Sequence, residues 1–164
     1  MLREVKTESG WVRGIPAADP RVTAFKGIPF IEKHYRVKPG KRNRAIAGLS
    51  LGSLYSGQII MEHPECFGSA GLFTGYTWPV MPGYPTKEQP WTEALKDAET
   101  FNREVHPFFG AIGDREVSLP LFEKEREFCK EQGVNYIQKI YPGVHEWRVW
   151  RAASRDYFCM IFRD

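Results

Sequence analysis

The amino-acid sequence predicts an α/β fold, in which a mostly parallel sheet is flanked by helices and preceded by an N-terminal β-hairpin. Two observations support this fold class. Short apolar runs alternate with longer segments in which apolar residues recur at helical spacing, as in proteins whose parallel strands are joined by helices. One apolar run leads into GLSLG at residues 48–52, a Gly-x-Ser-x-Gly pattern that favours a sharp turn from a strand into a helix.

The composition is typical of one globular domain. The chain has 164 residues, of which 42% are hydrophobic and 14% aromatic, which is enough for a proper core. Its net charge of +3 falls short of the concentrated positive face that nucleic-acid binding needs. The most basic stretch, residues 33–44, does not interleave aromatic residues as a stacking platform, so we interpret it as a solvated face. No nucleic acid is expected as a partner.

The cysteine content helps to predict the location of the protein, and the absence of cofactor-binding motifs helps to predict its cofactors. Cys66, Cys129 and Cys159 are odd in number and lack Cys-x-x-Cys spacing, so reduced thiols are expected. The start of the chain does not resemble a signal peptide, and no run of about 18 apolar residues predicts a membrane span. These features predict a cytoplasmic location without membrane contact. The absence of a metal-ligand cluster, a phosphate loop or a dinucleotide fingerprint predicts that no metal and no cofactor is bound.

The elements before the serine motif follow from alternation and turn residues. Residues 3–14 alternate around Ser9-Gly10, which predicts the hairpin. Residues 21–25 predict another strand, and residues 30–35 the end of a helix.

Ser50 is placed by its neighbours at the apex of a strand–turn–helix unit. We expect Gly48 and Gly52 to be small because strand and helix approach each other closely there. The N–H of Leu51, at the start of the helix, would point into the same space as the serine hydroxyl and donate to an oxyanion. The helix is expected to end near His63, because Pro64 disfavours helix in the residue before it.

The elements after this helix alternate between strands and helices. The predicted strands are residues 67–73, 108–114 and 135–141, and the predicted helices are residues 92–105, 119–132 and 147–162. Thr92 is the expected cap of the first of these helices.

Residues 76–91 form a long irregular segment rich in proline and aromatic residues. Its Tyr76 and Trp78, together with Trp147, are candidate substrate-binding residues that would offer aromatic walls to an acyl or sugar group. The alternative is that these aromatic side chains only anchor the segment to the domain.

From about residue 28 onward the chain resembles the esterase D-like family of α/β-hydrolases, which includes tributyrin, acetyl xylan and feruloyl esterases. The matching stretches are IPFIEKHYRV (28–37), NRAIAGLSLG (43–52) and YPGVHEW (141–147). The resemblance implies a serine esterase that acts on short-chain or aryl esters, with acetylated or feruloylated xylan fragments as further substrates.

The candidate catalytic residues are Ser50, Asp114 and His145, in the chain order that α/β-hydrolases use. Asp114 ends an apolar strand, where such a residue is more often a cap or turn former, but Gly113-Asp114 matches the esterase D-like pattern. His145 follows the last strand and would act as the base. His63 is the weaker alternative base, because a histidine at a helix end commonly serves as a cap.

The first residues resemble a different family. GWVRG (10–14) and FKGIPF (25–30) are similar to the N-terminal hairpin of type B carboxylesterases. The predicted organisation is therefore a hairpin segment over residues 1–30 and a partial α/β-hydrolase domain over residues 31–164, with a lid-like insertion at 76–107. A joint near Ile28 would make the chain a fusion, and the alternative is one natural gene of a single origin.

The resemblance also implies a gap before the serine. Esterase D-like proteins carry several strands there and a His-Gly loop that donates the second oxyanion hydrogen bond, and this chain has no His-Gly pair. A truncated α/β-hydrolase fold with an exposed sheet edge is expected, and such an edge favours a homo-oligomer. The alternatives to a small-molecule esterase are a non-catalytic remnant, an aromatic binding module, and a thioesterase or peptidase with the same triad.

Overall fold

The structure, a computed structural model, describes residues 4–7, 10–13, 27–75 and 94–163. It divides the chain into two compact units, residues 1–37 and residues 38–164. The expected division between residues 30 and 31, with a lid-like insertion at 76–107, stays a prediction. None of the described ranges contains a helix long and apolar enough to cross a membrane.

The first unit contains the hairpin that the sequence predicts. Strands β1 (Glu4–Thr7) and β2 (Gly10–Arg13) pair antiparallel, with Glu4 opposite Arg13 and Thr7 opposite Gly10. Helix α1 (Ile28–His34) follows, with proline in its first turn, where a missing N–H costs no helical hydrogen bond. The strand predicted at residues 21–25 lies outside the described residues.

The second unit is built on a four-stranded parallel sheet. Its strands are β3 (Ala45–Leu49), β4 (Ser69–Phe73), β5 (Phe108–Gly113) and β6 (Tyr136–Tyr141), adjacent in that order. Every residue of β4 and β5 is buried, as expected of central parallel strands covered on both faces. Because all four strands run the same way, their carboxyl ends lie at one edge of the sheet.

Helices join the strands. They are α2 (Leu51–Glu62), α3 (Ala98–Glu104), α4 (Leu119–Glu131) and α5 (Trp147–Phe158). The start of α3 differs from the expected helix over 92–105, because Asp97 caps it by accepting a hydrogen bond from the Thr100 N–H at 3.0 Å. This backbone hydrogen bond to Thr100 holds the pKa of Asp97 below its ordinary value. The expected cap, Thr92, lies outside the described residues.

Helix α5 covers one face of the sheet through a fully buried tyrosine. The Tyr157 ring contacts the Phe73 and Phe109 rings, and a Cβ on Gly71 would lie 3.1 Å from it. Its hydroxyl donates to Ser69 Oγ at 3.1 Å, and burial raises its pKa to about 12. The neighbouring β5 residue Phe108 instead stacks on Tyr136, so the two faces of β5 contribute to separate aromatic clusters. This packing fixes α5, and the loop before it, against β4 and β5.

Candidate active site

Ser50 lies at the turn between β3 and α2, as predicted. Its backbone has φ 54° and ψ −122°, a left-handed value of φ that a non-glycine residue rarely adopts. The Ser50 N–H donates to the Phe73 carbonyl oxygen at 2.9 Å, which ties the turn to the end of β4. The strained turn therefore projects the serine hydroxyl from the carboxyl edge of the sheet.

The two glycines beside Ser50 differ in how strictly they are needed. A Cβ on Gly48 would lie 2.1 Å from the Gly52 carbonyl oxygen, so no larger residue fits there. A Cβ on Gly52 would meet nothing within 4 Å among the described atoms. The close approach of strand and helix thus accounts for Gly48, and the same expectation for Gly52 is corrected.

His145 contacts the serine directly. Its Nε2 lies 2.8 Å from Ser50 Oγ, and its Nδ1 lies 3.0 Å from Glu116 Oε2. An ionised carboxylate only accepts hydrogen bonds, so Nδ1 carries the proton and Nε2 is left to accept from the serine hydroxyl. Serine, histidine and carboxylate therefore form a continuous chain of hydrogen bonds.

The carboxylate in this chain is that of Glu116, and the prediction that placed Asp114 beside His145 is corrected. The Glu116 side chain is only 3% exposed, and its Oε1 accepts a hydrogen bond from the Gly113 N–H at 3.0 Å. Asp114 lies 48% exposed, and its Oδ1 accepts from the Gly143 N–H at 2.9 Å. Burial and a fixed second partner hold the Glu116 carboxylate towards the imidazole.

The reason for the difference lies in the turn after β5. Glu116 follows Asp114 by two residues, and its N–H donates back to the Gly113 carbonyl oxygen at 3.3 Å. The turn leaves the Glu116 side chain buried and the Asp114 side chain about half exposed. Two carboxylates so close in sequence are equal candidates by spacing, and only the turn geometry distinguishes them.

Trp150, on the first turn of α5, supports the imidazole from behind. Its ring meets the His145 ring edge to face, with centroids 5.0 Å apart and planes at 90°. Its Nε1–H donates to Thr74 Oγ1, and Thr74 itself has a left-handed φ of 52° at the end of β4. The sequence predicts that Trp150 lies in a helix over 147–162 but not that it contacts the site, so this contact was missed.

An open cavity of about 670 Å³ lies in front of Ser50 and His145. Its aliphatic lining comes from α2, from the turn before α4, from α4 itself and from the His145 loop. These residues are Leu51, Leu54, Val117, Leu121 and Val144. Arg115 and Ser118 add polar groups. The cavity thus offers an apolar wall with a few polar positions, as small-molecule sites commonly do.

Leu51 lies where an oxyanion donor is expected. Its N–H is the first of α2, so the helix itself supplies no acceptor for it, and the partial positive charge of the helix N-terminus lies beside Ser50. The role of Leu51 in binding an oxyanion stays a prediction.

Two other candidate residues, Trp147 and His63, lie apart from the serine, the histidine and the carboxylate. Trp147 is 64% exposed, packs on Trp150 with ring centroids 5.3 Å apart, and is not among the described residues that line the cavity. Tyr76 and Trp78 lie outside the described residues. His63 ends α2, at the far end of the helix from Ser50, and its Nδ1 lies 3.2 Å from Glu65 Oε1.

Metal ligands are not grouped in the described part of the chain. Within residues 27–75 and 94–163, no set of three or more histidine, cysteine, aspartate or glutamate side chains is arranged to hold a metal ion. The expectation that the protein binds no metal or cofactor stays a prediction.

A parallel sheet with a serine at a strained strand–helix turn, a carboxylate in the turn after β5 and a histidine in the loop after β6 defines the α/β-hydrolase class. A family model described as "Putative esterase" matches residues 28–154, and the chain belongs to this esterase family.

The names of individual proteins that this chain resembles are consistent with that family. The chain is 34% identical over 137 residues to an endo-1,4-beta-xylanase/feruloyl esterase of Xylanibacter ruminicola, an alignment that covers 83% of this chain and 16% of that protein. Its fold is similar to a feruloyl esterase module from Clostridium thermocellum complexed with sinapinate, with a TM-score of 0.73, 17% identity, and coverage of 94% of this chain and 61% of that one.

A second solved structure has the same fold. It is a fluorophosphonate-binding serine hydrolase of Staphylococcus aureus, with a TM-score of 0.69, 12% identity, and coverage of 85% of this chain and 62% of that one. The chain therefore spans only part of the length of the proteins that it matches.

Proposed function

We propose that this protein is a serine hydrolase that cleaves carboxylic esters through an acyl-enzyme on Ser50. The observation that carries the proposal is the hydrogen-bonded chain in which Ser50 Oγ lies 2.8 Å from His145 Nε2 and His145 Nδ1 lies 3.0 Å from Glu116. Membership of the esterase family supports the choice of an ester as substrate.

In the proposed mechanism, Ser50 Oγ attacks the ester carbonyl carbon while His145 Nε2 takes the hydroxyl proton. Glu116 holds the imidazole in the tautomer that can accept this proton and stabilises the imidazolium that forms. The Leu51 N–H stabilises the oxyanion of the tetrahedral intermediate. His145 then returns the proton to the leaving alkoxide, and water activated by the same imidazole hydrolyses the acyl-enzyme.

Short-chain or aryl esters are the substrates that we propose, with acetylated or feruloylated xylan fragments within this class. The cavity in front of Ser50 supports this choice, because its wall of Leu54, Val117, Leu121 and Val144 suits an apolar group. The relatives named as feruloyl esterases support an aryl ester.

The first test is hydrolysis of a short-chain aryl ester by the wild-type protein and by Ser50→Ala, with Ser154→Ala as the control. Ser154 lies on α5, and its hydroxyl donates to the Trp150 carbonyl oxygen, outside the catalytic chain. The wild type and the control are expected to hydrolyse the ester, and Ser50→Ala to lose at least about 10³-fold in kcat. Equal rates for the wild type and Ser50→Ala would refute the proposal.

A second test needs no substrate. A fluorophosphonate probe reacts with an activated serine, so it is expected to label the wild type and Ser154→Ala but not Ser50→Ala. An unlabelled wild type would support a non-catalytic remnant. Labelling together with hydrolysis of a thioester or peptide in preference to the aryl ester would redirect the proposal to those reactions.

We also propose that two copies of the chain associate through the edge of β3. Among the described strands β3 pairs only with β4, and its five residues, AIAGL, include no charge or proline that would block further pairing. Light scattering is expected to give a mass above that of one 18.9 kDa chain, and Ala47→Lys, at the exposed position of β3, to reduce it. A monomer for the wild-type protein would refute this part.

A further inference from the structure

Two turns meet at the carboxyl edge of the sheet, one carrying the acid and one carrying the base. The acid turn, residues 113–116, follows β5, and the histidine loop, residues 141–145, follows β6. The backbones are joined at two points: the Asp114 N–H donates to the Tyr141 carbonyl oxygen at 2.8 Å, and the Arg115 N–H donates to the Gly143 carbonyl oxygen at 3.0 Å. The distance from Glu116 to His145 therefore depends on how these turns are held together.

The turns leave no room for adjustment at their contact. A Cβ on Gly113 would lie 2.6 Å from the Gly143 carbonyl oxygen. Gly143 has a φ of +148°, and a Cβ there would lie 2.7 Å from a methyl carbon of Val149. Gly113 is restricted to glycine by the approach of the Gly143 backbone, and Gly143 by its positive φ and the Val149 side chain, so the two turns are closely packed where they meet.

The side chain of Asp114, in the acid turn, binds the backbone of the histidine loop. Its Oδ1 accepts the Gly143 N–H at 2.9 Å, and Arg115 Nε lies 3.6 Å from the same oxygen. Gly143 precedes His145 by two residues, so a carboxylate that fixes the Gly143 amide also fixes the backbone from which the imidazole projects. A hydrogen bond to an ionised acceptor is stronger than one between neutral groups.

The geometry points to Asp114 as a positioning residue, which holds the His145 loop at the distance that Glu116 and Ser50 require. This inference rests on the proposed function. Asp114 touches neither the serine nor the imidazole in the structure, and it acts through the Gly143 amide. Its contribution is to the alignment of the base and leaves the proton transfers unchanged.

The test compares Asp114→Ala with Asp114→Asn, because an asparagine Oδ1 can still accept the Gly143 N–H whereas alanine cannot. Glu123→Ala, which removes an exposed carboxylate from α4, is the matched control. We expect Asp114→Ala to lower kcat on the aryl ester by about tenfold with KM within about twofold, since small misplacements of catalytic groups cost up to about 10² in rate. Asp114→Asn is expected to retain at least half of the wild-type kcat, and Glu123→Ala all of it.

A second readout is independent of turnover. Amide hydrogen exchange at Gly143, measured by NMR, is expected to accelerate in Asp114→Ala and to stay slow in Asp114→Asn and in the control. If Ser50→Ala were as active as the wild type, the esterase proposal would fail while this measurement still tested the hold on the loop.

Two results would overturn the inference. Wild-type kcat and Gly143 exchange in Asp114→Ala would show that the carboxylate holds nothing. A loss in Asp114→Asn as large as that in Glu116→Gln would show that Asp114 is itself the acid of the triad.

Discussion

Glu116 Oε2 lies 3.0 Å from Nδ1 of His145, while Asp114, two residues earlier, bonds the backbone of the histidine loop. The turn after β5 therefore determines which carboxylate faces His145. The other oxygen of Glu116, Oε1, is already occupied by the Gly113 N–H at 3.0 Å, which makes the two ends of the carboxylate distinct.

Glu116→Gln is expected to lower kcat by about 10⁴-fold. The amide oxygen would take the position facing the Gly113 N–H, so the NH₂ group would face His145 and force the proton onto Nε2, where it blocks acceptance from Ser50. Glu116→Asp is expected to lose about 10²-fold, because its carboxylate is one methylene too short to reach the imidazole. Both are measured as kcat on the aryl ester, and a Glu116→Gln variant within about tenfold of the wild type would contradict the assignment.

Gly48→Ala and Gly52→Ala are expected to change the free energy of unfolding by very different amounts. The new methyl group at residue 48 would lie 2.1 Å from a backbone oxygen, so we expect a loss of about 3 kcal/mol or more in the free energy of unfolding. At residue 52 the methyl group would meet no described atom within 4 Å, and alanine favours helix, so the free energy is expected to stay the same or rise by up to about 1 kcal/mol. Urea unfolding measures both, and equal losses would refute the steric explanation.

Trp150→Phe removes the N–H that binds the buried Thr74 hydroxyl while keeping an aromatic ring near His145. Leaving Thr74 without this donor is expected to cost about 1 kcal/mol in the free energy of unfolding. Trp147→Phe is the control, because that side chain is 64% exposed, and a change within about 0.5 kcal/mol is expected for it. An equal effect of the two substitutions in urea unfolding would argue against a specific role for the Thr74 contact.

Asp156 is expected to make a pH-dependent contribution to the free energy of unfolding. Lys139 Nζ and the Tyr141 hydroxyl donate to its carboxylate at 2.8 and 3.0 Å, and these hydrogen bonds hold the pKa of Asp156 below its ordinary value. A lowered pKa in the folded state means that the ionised group stabilises the protein above the unfolded pKa, about 3.9, and that this contribution is lost as the pH falls through the folded value.

Asp156→Asn is therefore expected to lower the free energy of unfolding by about 0.5 kcal/mol at pH 7, a small value because the ion pair is partly exposed. The difference from the wild type is expected to shrink below about pH 4. Glu127→Gln, on the exposed face of α4, controls for the general loss of a carboxylate. A difference that stays constant from pH 7 to about pH 3 would contradict the explanation.

Local sequence was sufficient for the elements and for two members of the site. A continuous apolar run such as β5 predicts a buried strand, because both of its faces need cover. The Gly-x-Ser pattern at residues 48–50 predicted a serine at a strand–helix turn, and His145 was predicted to follow the last strand. Both positions depend on neighbours within a few residues.

Tertiary structure alone decided which acid faces the histidine and what supports it. Asp114 and Glu116 both carry a carboxylate and lie two residues apart, and the choice between them depends on a turn whose backbone is fixed by contacts with Gly113 and Gly143. Trp150 likewise belongs to a helix far along the chain from Thr74, and only the packing of α5 on the sheet brings them together. Such choices rest on contacts between segments remote in sequence, which residue spacing does not encode.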